Sequence, residues 1–138
     1  MRKAYLGVDY GRKRIGLAVS EAGLIAKPLK IIENKGERKN LIAFAEIIKG
    51  HNISTIVVGL PVHKNSAMAD EVNAFGHLLA WQLQVRVVFQ NEMLTSVEAK
   101  EVLRYGRFSG VPRKDKNMVD SVAATMILQD YLTEKGEK

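Results

Sequence analysis

The stretch "YLGVDYGRKRIGLAVS", residues 5–20, sets the start of the fold. Residues at about 4–10 are apolar enough for a buried strand, and apolar side chains at about 14–20 alternate with the period of two typical of a strand. The short link between them predicts an antiparallel hairpin. Asp9 lies inside the first of these strands, where an ionised carboxylate is costly unless a partner neutralises it.

The rest of the chain alternates short apolar runs with segments of helical spacing. We predict three more strands, at about 28–33, 53–60 and 85–89. Apolar stripes at 41, 44, 45 and 48 and at 68, 72, 75 and 79 predict two helices, the first of which ends at Gly50. Two further helices are predicted from Thr95 to about Arg104 and over about 117–133. Because hairpin strands come first and strands alternating with helices follow, the expected fold is a mixed five-stranded α/β sheet with helices on its faces.

Length and composition favour one globular domain over residues 1–138, with residues 134–138 as a frayed tail. Apolar residues make up 46% of the chain, but none of their runs approaches the roughly 18 residues of a membrane span. Asp9 and Arg12 interrupt any apolar segment that could act as a signal peptide. The chain has no cysteine, which excludes disulfides and thiolate chemistry and fits a cytoplasmic location.

The net charge of +6 favours anionic partners, nucleic acid first, although a basic protein with no such partner has the same balance. The positive charges are clustered, which favours nucleic acid. One cluster comprises Arg12, Lys13 and Arg14, and the other comprises Arg104, Arg107, Arg113, Lys114 and Lys116.

Three acidic residues are expected to meet at one edge of the sheet. Ligands of open α/β sheets bind beyond the carboxyl ends of the parallel strands, where Asp9 and Glu92 are placed. Asp120 lies one turn before Ala124 on the apolar stripe of the last helix, so it should point toward the sheet. The alternative is that Asp120 only favours the start of its helix, where the macrodipole stabilises an anion.

Three crowded carboxylates remain ionised only if a cation neutralises them. Oxygen ligands suit Mg²⁺ or Mn²⁺, and the three histidines are scattered rather than clustered as a zinc site requires. A carboxylate-bound metal ion beside basic residues is typical of phosphodiester cleavage. We therefore predict that Asp9, Glu92 and Asp120 are both metal ligands and catalytic residues.

Four motifs resemble the YqgF family, whose members are known as pre-16S rRNA nucleases or Holliday junction resolvases. They are "GVDYGRKRIGLAVS", "IVVGLP", "NEMLTSVEA" and "KNMVDSVAATMILQDYL", in that order over nearly the whole chain. The resemblance implies an RNase H-like fold, a cytoplasmic location and a nuclease role at the 5′ end of small-subunit ribosomal RNA. It places the acidic roles on Asp9, Glu92 and Asp120, and matches Lys116 to a basic residue of the family.

Two departures from the family pattern bear on substrate positioning. The family usually shows Asp-Glu-Arg where this chain has Asn91-Glu92-Met93. The stretch "VHKNSAM" at 62–68 lacks the glycine that usually follows "GLP".

The favoured hypothesis is a metal-dependent endonuclease of structured RNA, most directly precursor rRNA, acting as a monomer or a homodimer. One alternative is a nuclease of branched DNA, and another is a non-catalytic RNA- or ribosome-binding factor with the same fold. An ATP-handling protein related to actin and sugar kinases is disfavoured, because it needs two such domains and this chain has 138 residues.

The segment "GRFSGVPRKDKN", residues 106–117, lacks the periodicity of a packed element. We expect it to be ordered by substrate, with Arg113, Lys114 and Lys116 closing over the phosphate backbone. Phe108 has two interpretations: it stacks on a base, or it anchors the segment to the core.

Overall fold

A computed structural model describes residues 3–61, 66–91 and 118–136, and these form five strands and three helices. The strands are β1 (Ala4–Asp9), β2 (Arg14–Ser20), β3 (Lys27–Glu33), β4 (Ile53–Leu60) and β5 (Arg86–Asn91). The helices are α1 (Glu37–His51), α2 (Ser66–Leu83) and α3 (Met118–Gly136). The helix predicted from Thr95 to about Arg104 and the segment 106–117 lie outside the described residues.

The strands form one sheet in the order β3-β2-β1-β4-β5. β1 pairs with β2 and β2 with β3 in antiparallel fashion, because short connections join them. β1 pairs with β4 and β4 with β5 in parallel, with α1 and α2 as the crossover helices. The predicted mixed five-stranded sheet is confirmed.

Helices cover both faces of the sheet, and the period of two in β1 divides its side chains between two cores. Leu6 and Val8 pack with Phe44 of α1 and with α2. Tyr5 packs on the opposite face with Leu128 and other apolar residues of α3. β4 lies between β1 and β5 and is buried over most of its length, as expected for a continuous apolar run.

Two glycines allow α3 to approach the sheet closely. A β carbon on Gly7 would lie 2.7 Å from the Leu128 β carbon and 2.8 Å from the Ala124 carbonyl oxygen. A β carbon on Gly59 would overlap the Ile127 side chain. The absence of side chains at these two positions therefore lets α3 pack directly against the backbones of β1 and β4.

The expected end of α1 at Gly50 is wrong, because the helix continues to His51. Asn52 adopts the left-handed conformation (φ 54°, ψ 47°), and its N–H donates to the carbonyl of Ile48. Asparagine tolerates this conformation, so it caps the helix in place of glycine. Ala45, which was expected on the buried stripe, is exposed.

Two elements extend beyond their predicted ends. β5 reaches Asn91, with Gln90 and Asn91 paired to Gly59 and Leu60. α3 reaches Gly136 rather than about residue 133, so the first three residues of the expected frayed tail are helical. The ammonium of Lys135 donates to the Tyr5 hydroxyl and lies 4.7 Å from the centre of the Tyr5 ring, which ties the last turn to the sheet.

The helices within the described ranges include none that is both long enough and apolar enough to cross a membrane.

Candidate nuclease site

Asp9 is the last residue of β1 and is half-buried. Tyr5 and Gly7 of the same strand face α3, and side chains alternate along a strand, so Asp9 lies on the α3 side of the sheet. The pairing of Asp9 with Gly16 places Asp9 at the turn end of the β1–β2 hairpin.

The backbone of Asp120 lies at the same edge, because α3 runs antiparallel to β1. Tyr131 packs against Tyr5 with ring centres 6.0 Å apart, and Ala124 contacts Gly7. Asp120 precedes Ala124 by one helical turn, about 6 Å along the axis. Asp9 follows Gly7 by two strand residues, about 7 Å. The side chain of Asp120 lies outside the described residues, so the meeting of the two carboxylates stays a prediction.

A buried hydrogen bond fixes the start of α3 over the hairpin. The hydroxyl of Ser121, which is fully buried, donates to the carbonyl oxygen of Leu17 at 3.0 Å. Leu17 pairs with Val8, the residue before Asp9. The residue after Asp120 is therefore anchored to the strand next to Asp9.

Glu92 follows the end of β5 and lies outside the described residues. Gln90, two residues earlier, is buried, and its amide donates to Glu134 of α3 at 3.1 Å. Gln90 pairs with Gly59, the residue of β4 level with Asp9. Two strand spacings, about 10 Å, thus separate the ends of β1 and β5.

Among the residues whose side chains the structure describes, no three acidic or histidine side chains form a metal-binding group. Two of the three predicted ligands, Glu92 and the side chain of Asp120, lie outside this set, so the triad stays a prediction. The three carboxylates suit a hard cation, and the backbone register brings Asp9 and the start of α3 to one edge. These residues therefore fit Mg²⁺ or Mn²⁺.

The first basic cluster follows Asp9 along the chain. Arg12 and Lys13 are exposed in the turn between β1 and β2, and Arg14 is the exposed first residue of β2. A substrate phosphate at the sheet edge would thus meet both a carboxylate and basic side chains. The other three predicted nucleic-acid contacts, Arg113, Lys114 and Lys116, lie outside the described residues.

Sequence patterns did not reveal that a carboxylate of α2 holds this turn. Glu71 accepts a hydrogen bond from the Tyr10 hydroxyl at 2.9 Å, and one from Nε of Arg12 at 3.0 Å. The Tyr10 ring packs on Phe75, with ring centres 4.7 Å apart. The available signal was that Glu71 precedes the core residue Phe75 by one helical turn, which places it on the sheet-facing side.

Asparagines hold the turn from a second direction. The Asn34 side chain donates to the carbonyl of Gly11 at 2.9 Å, and its backbone N–H donates to the carbonyl of Lys13 at 2.9 Å. Asn40, which is 5% exposed, donates to the Asn34 side chain at 2.9 Å. The backbone of the turn is therefore fixed independently of Glu71.

The protonation states in this network are well defined at neutral pH. Hydrogen bonds from Tyr10 and Arg12 hold the pKa of Glu71 below its usual value, so it is a carboxylate. Burial raises the pKa of Tyr10 above its usual value, so its hydroxyl stays protonated and donates the hydrogen bond to Glu71.

A family model described as RuvX, Holliday junction resolvase, matches residues 3–134. A protein of Syntrophus aciditrophicus that carries the name of a pre-16S rRNA nuclease is 37% identical over 132 residues, which are 92% of this chain and 86% of that protein. A protein of the same name from Carboxydothermus hydrogenoformans is 37% identical over 136 residues, or 96% of this chain and 97% of that protein.

Solved structures share the fold. RuvC of T. thermophilus, in complex with a Holliday junction substrate, has a TM-score of 0.60 at 17% identity and covers 98% of this chain and 96% of that chain. Fowlpox virus resolvase, in complex with Holliday junction DNA, has a TM-score of 0.64 at 11% identity. The match covers 96% of this chain and 98% of that chain. The expected RNase H-like fold is thereby confirmed.

Proposed function

This chain belongs to the RuvX family, also known as YqgF, and we propose that it processes the 5′ end of precursor 16S rRNA in a metal-dependent reaction. Relatives in the family carry the names of nucleases, so membership supports a hydrolase that acts on nucleic acid. The names of relatives at 37% identity support RNA as the substrate. The observation that carries the proposal is the register that brings Asp9, the start of α3 and the basic turn to one sheet edge.

In this proposal Asp9, Glu92 and Asp120 hold Mg²⁺ or Mn²⁺. The metal, when bound, supplies an activated water and neutralises charge that develops on the phosphate. The α3 helix contributes its N-terminal end to the same edge, which favours the anionic form of Asp120. The Ser121–Leu17 hydrogen bond keeps this end of α3 in register with β1.

Basic side chains position the nucleic acid in this proposal. Arg12, Lys13 and Arg14 bind phosphates next to the scissile bond, since they follow closely after Asp9 along the chain. Arg113, Lys114 and Lys116 bind the backbone on the side of Asp120. Contacts of this kind fix the register of the substrate without reading its sequence.

A second candidate substrate is a four-way DNA junction. The family description names Holliday junction resolvases, and both structural neighbours were solved with junction DNA. Cutting two strands of a junction suits a symmetric homodimer, whereas processing one rRNA end requires only a monomer. The oligomeric state therefore bears on the choice between the two substrates.

A non-catalytic RNA- or ribosome-binding role is the remaining alternative. Asn91 and Met93 support it, since the family pattern has Asp and Arg at these positions. Asn91 is the exposed last residue of β5. Both roles in ribosome maturation place the protein in the cytoplasm.

Cleavage of precursor 16S rRNA and of a four-way DNA junction, measured side by side with Mg²⁺ and with a chelator, distinguishes these roles. We expect Mg²⁺-dependent cleavage of the RNA, with the junction cut more slowly. Faster junction cleavage would favour the DNA role. RNA binding without cleavage of either substrate would favour the binding factor.

A further inference from the structure

The carboxylate of Glu71 joins the first basic cluster to α2 through both of its oxygens. Oε2 accepts from Nε of Arg12 and Oε1 accepts from the Tyr10 hydroxyl. Glu71 lies 59 residues from Arg12 along the chain, so the fold alone brings them together. The Arg12 side chain is 62% exposed and that of Glu71 33% exposed, which places the pair at the protein surface on the α2 side of the sheet.

We propose that Glu71 is a positioning residue that orients the Arg12 guanidinium for a phosphate of the substrate. This inference rests on the proposed nucleic-acid contact of Arg12. The hydrogen bond to Glu71 uses Nε of Arg12, and the two terminal nitrogens form the fork that recognises phosphate in a bidentate manner.

Orientation of the Arg12 side chain in the free protein reduces the entropic cost of binding a phosphate. A long exposed arginine samples many rotamers, and a phosphate that binds it must select one of them. Glu71 makes this selection before substrate arrives, because Tyr10 holds its second oxygen and the Tyr10 ring is packed on Phe75. The less entropy Arg12 loses on binding, the tighter the complex becomes.

Simple electrostatics predicts the opposite effect of Glu71. A carboxylate beside a phosphate site repels the substrate, so its removal should strengthen binding if charge alone matters. Positioning predicts that removal weakens binding although the protein becomes more positive. The sign of the change in affinity therefore separates the two accounts.

The Glu71→Gln variant tests this difference without disturbing the turn, because Asn34 holds the backbone of the turn independently of Glu71. Glu46→Gln is the matched control, because Glu46 is an exposed carboxylate of α1 that no described hydrogen bond joins to the turn. Affinity for a structured RNA is measured by fluorescence anisotropy over a range of salt concentrations. Melting temperatures of both variants report on the fold.

We expect Glu71→Gln to weaken RNA binding about 3- to 10-fold. It should also lower the slope of log affinity against log salt by roughly one unit, the same change that we expect for Arg12→Ala. Glu46→Gln should leave affinity unchanged or strengthen it. In an Arg12→Ala background, Glu71→Gln should cause no further loss. Affinity of Glu71→Gln equal to or above that of the unmodified protein would overturn the inference, and so would an undiminished loss in the Arg12→Ala background.

Binding, rather than cleavage, is the readout, so the result does not depend on the proposed reaction. If the protein binds RNA with the predicted Glu71 effect but cuts neither substrate, the positioning role stands and the proposed nuclease reaction on rRNA fails. If it cleaves RNA and Glu71→Gln leaves binding intact, the reaction stands and the positioning role fails.

Discussion

Gly7 of β1 lies directly against Ala124 of α3, so closely that a β carbon on Gly7 would lie 2.8 Å from the Ala124 carbonyl oxygen. This contact sets the distance between the strand that ends in Asp9 and the helix that begins near Asp120. Any side chain at Gly7 must push α3 away from the sheet, because the groups it would meet are backbone and a β carbon rather than the flexible end of a side chain.

Replacing Gly7 with alanine should therefore destabilise the protein by about 1–3 kcal/mol, the usual cost of overpacking a core. Urea unfolding measures the effect. Gly50→Ala is the control, because a β carbon at Gly50 of α1 meets nothing within 4 Å, and helix propensity makes that change neutral or stabilising by up to about 1 kcal/mol. Equal stability of the two variants would show that the contact is not tight.

Removal of the Ser121 hydroxyl should loosen the start of α3. The Ser121→Ala variant leaves the Leu17 carbonyl without this buried donor, and we expect a loss of about 0.5–1.5 kcal/mol. Hydrogen exchange of the first turn of α3 should accelerate more than exchange of its last turn, which Lys135 holds on Tyr5. Uniform acceleration along α3 would contradict a local anchor.

Asp130 of α3 should reduce stability at neutral pH. Burial and the nearby Glu134 carboxylate raise the pKa of Asp130 in the folded protein, so the folded state binds this proton more tightly than the unfolded chain. The resulting stabilisation is present below about pH 4, near the unfolded pKa, and is lost as the pH rises through the folded-state pKa.

We therefore expect Asp130→Asn to raise the free energy of unfolding at pH 7 by about 0.2–0.5 kcal/mol, the size of a like-charge pair on a helix. The gain should disappear near pH 3, where the Asp130 carboxyl group is protonated. Thermal unfolding of the two proteins across this range checks the sign, and a variant less stable than the unmodified protein at pH 7 would contradict it.

The basic turn should contribute to the salt dependence of RNA binding. Replacing Arg12 and Arg14 with alanine should lower the slope of log affinity against log salt by roughly one unit per lost phosphate contact. Replacing Lys39 and Lys49, two exposed lysines of α1, gives a control with the same change of charge. An unchanged slope in the Arg12 and Arg14 variant would remove this turn from the interface.

Local patterns predicted the strands and the layers of this fold well. Period-two alternation identified the β1–β2 hairpin, and a continuous apolar run identified the buried parallel strand β4, because burial on one face or two leaves a direct mark on the sequence. The apolar stripe containing Ala124 and Leu128 correctly indicated the face of α3 that packs on β1.

The missed features depend on contacts between distant parts of the chain. Glu71 is joined to Arg12 across 59 residues, and no local pattern encodes such a pair. The last turn of α3 is ordered because Lys135 meets Tyr5, at the opposite end of the sequence. The end of α1 was missed for a local reason, since Asn52 adopts a conformation that usually favours glycine.

The proposed nuclease reaction requires that Asp9, Glu92 and Asp120 form one metal-binding catalytic site. Single-turnover cleavage of precursor 16S rRNA tests it most directly, with Asp9→Asn, Glu92→Gln and Asp120→Asn compared with Asp130→Asn, an Asp-to-Asn change elsewhere on α3. We predict that each of the first three variants loses more than about 100-fold in rate, beyond the cost of losing an outer-shell partner, while Asp130→Asn keeps the full rate. Full activity in any of the three, or undiminished cleavage by the unmodified protein in chelator, would contradict the shared site.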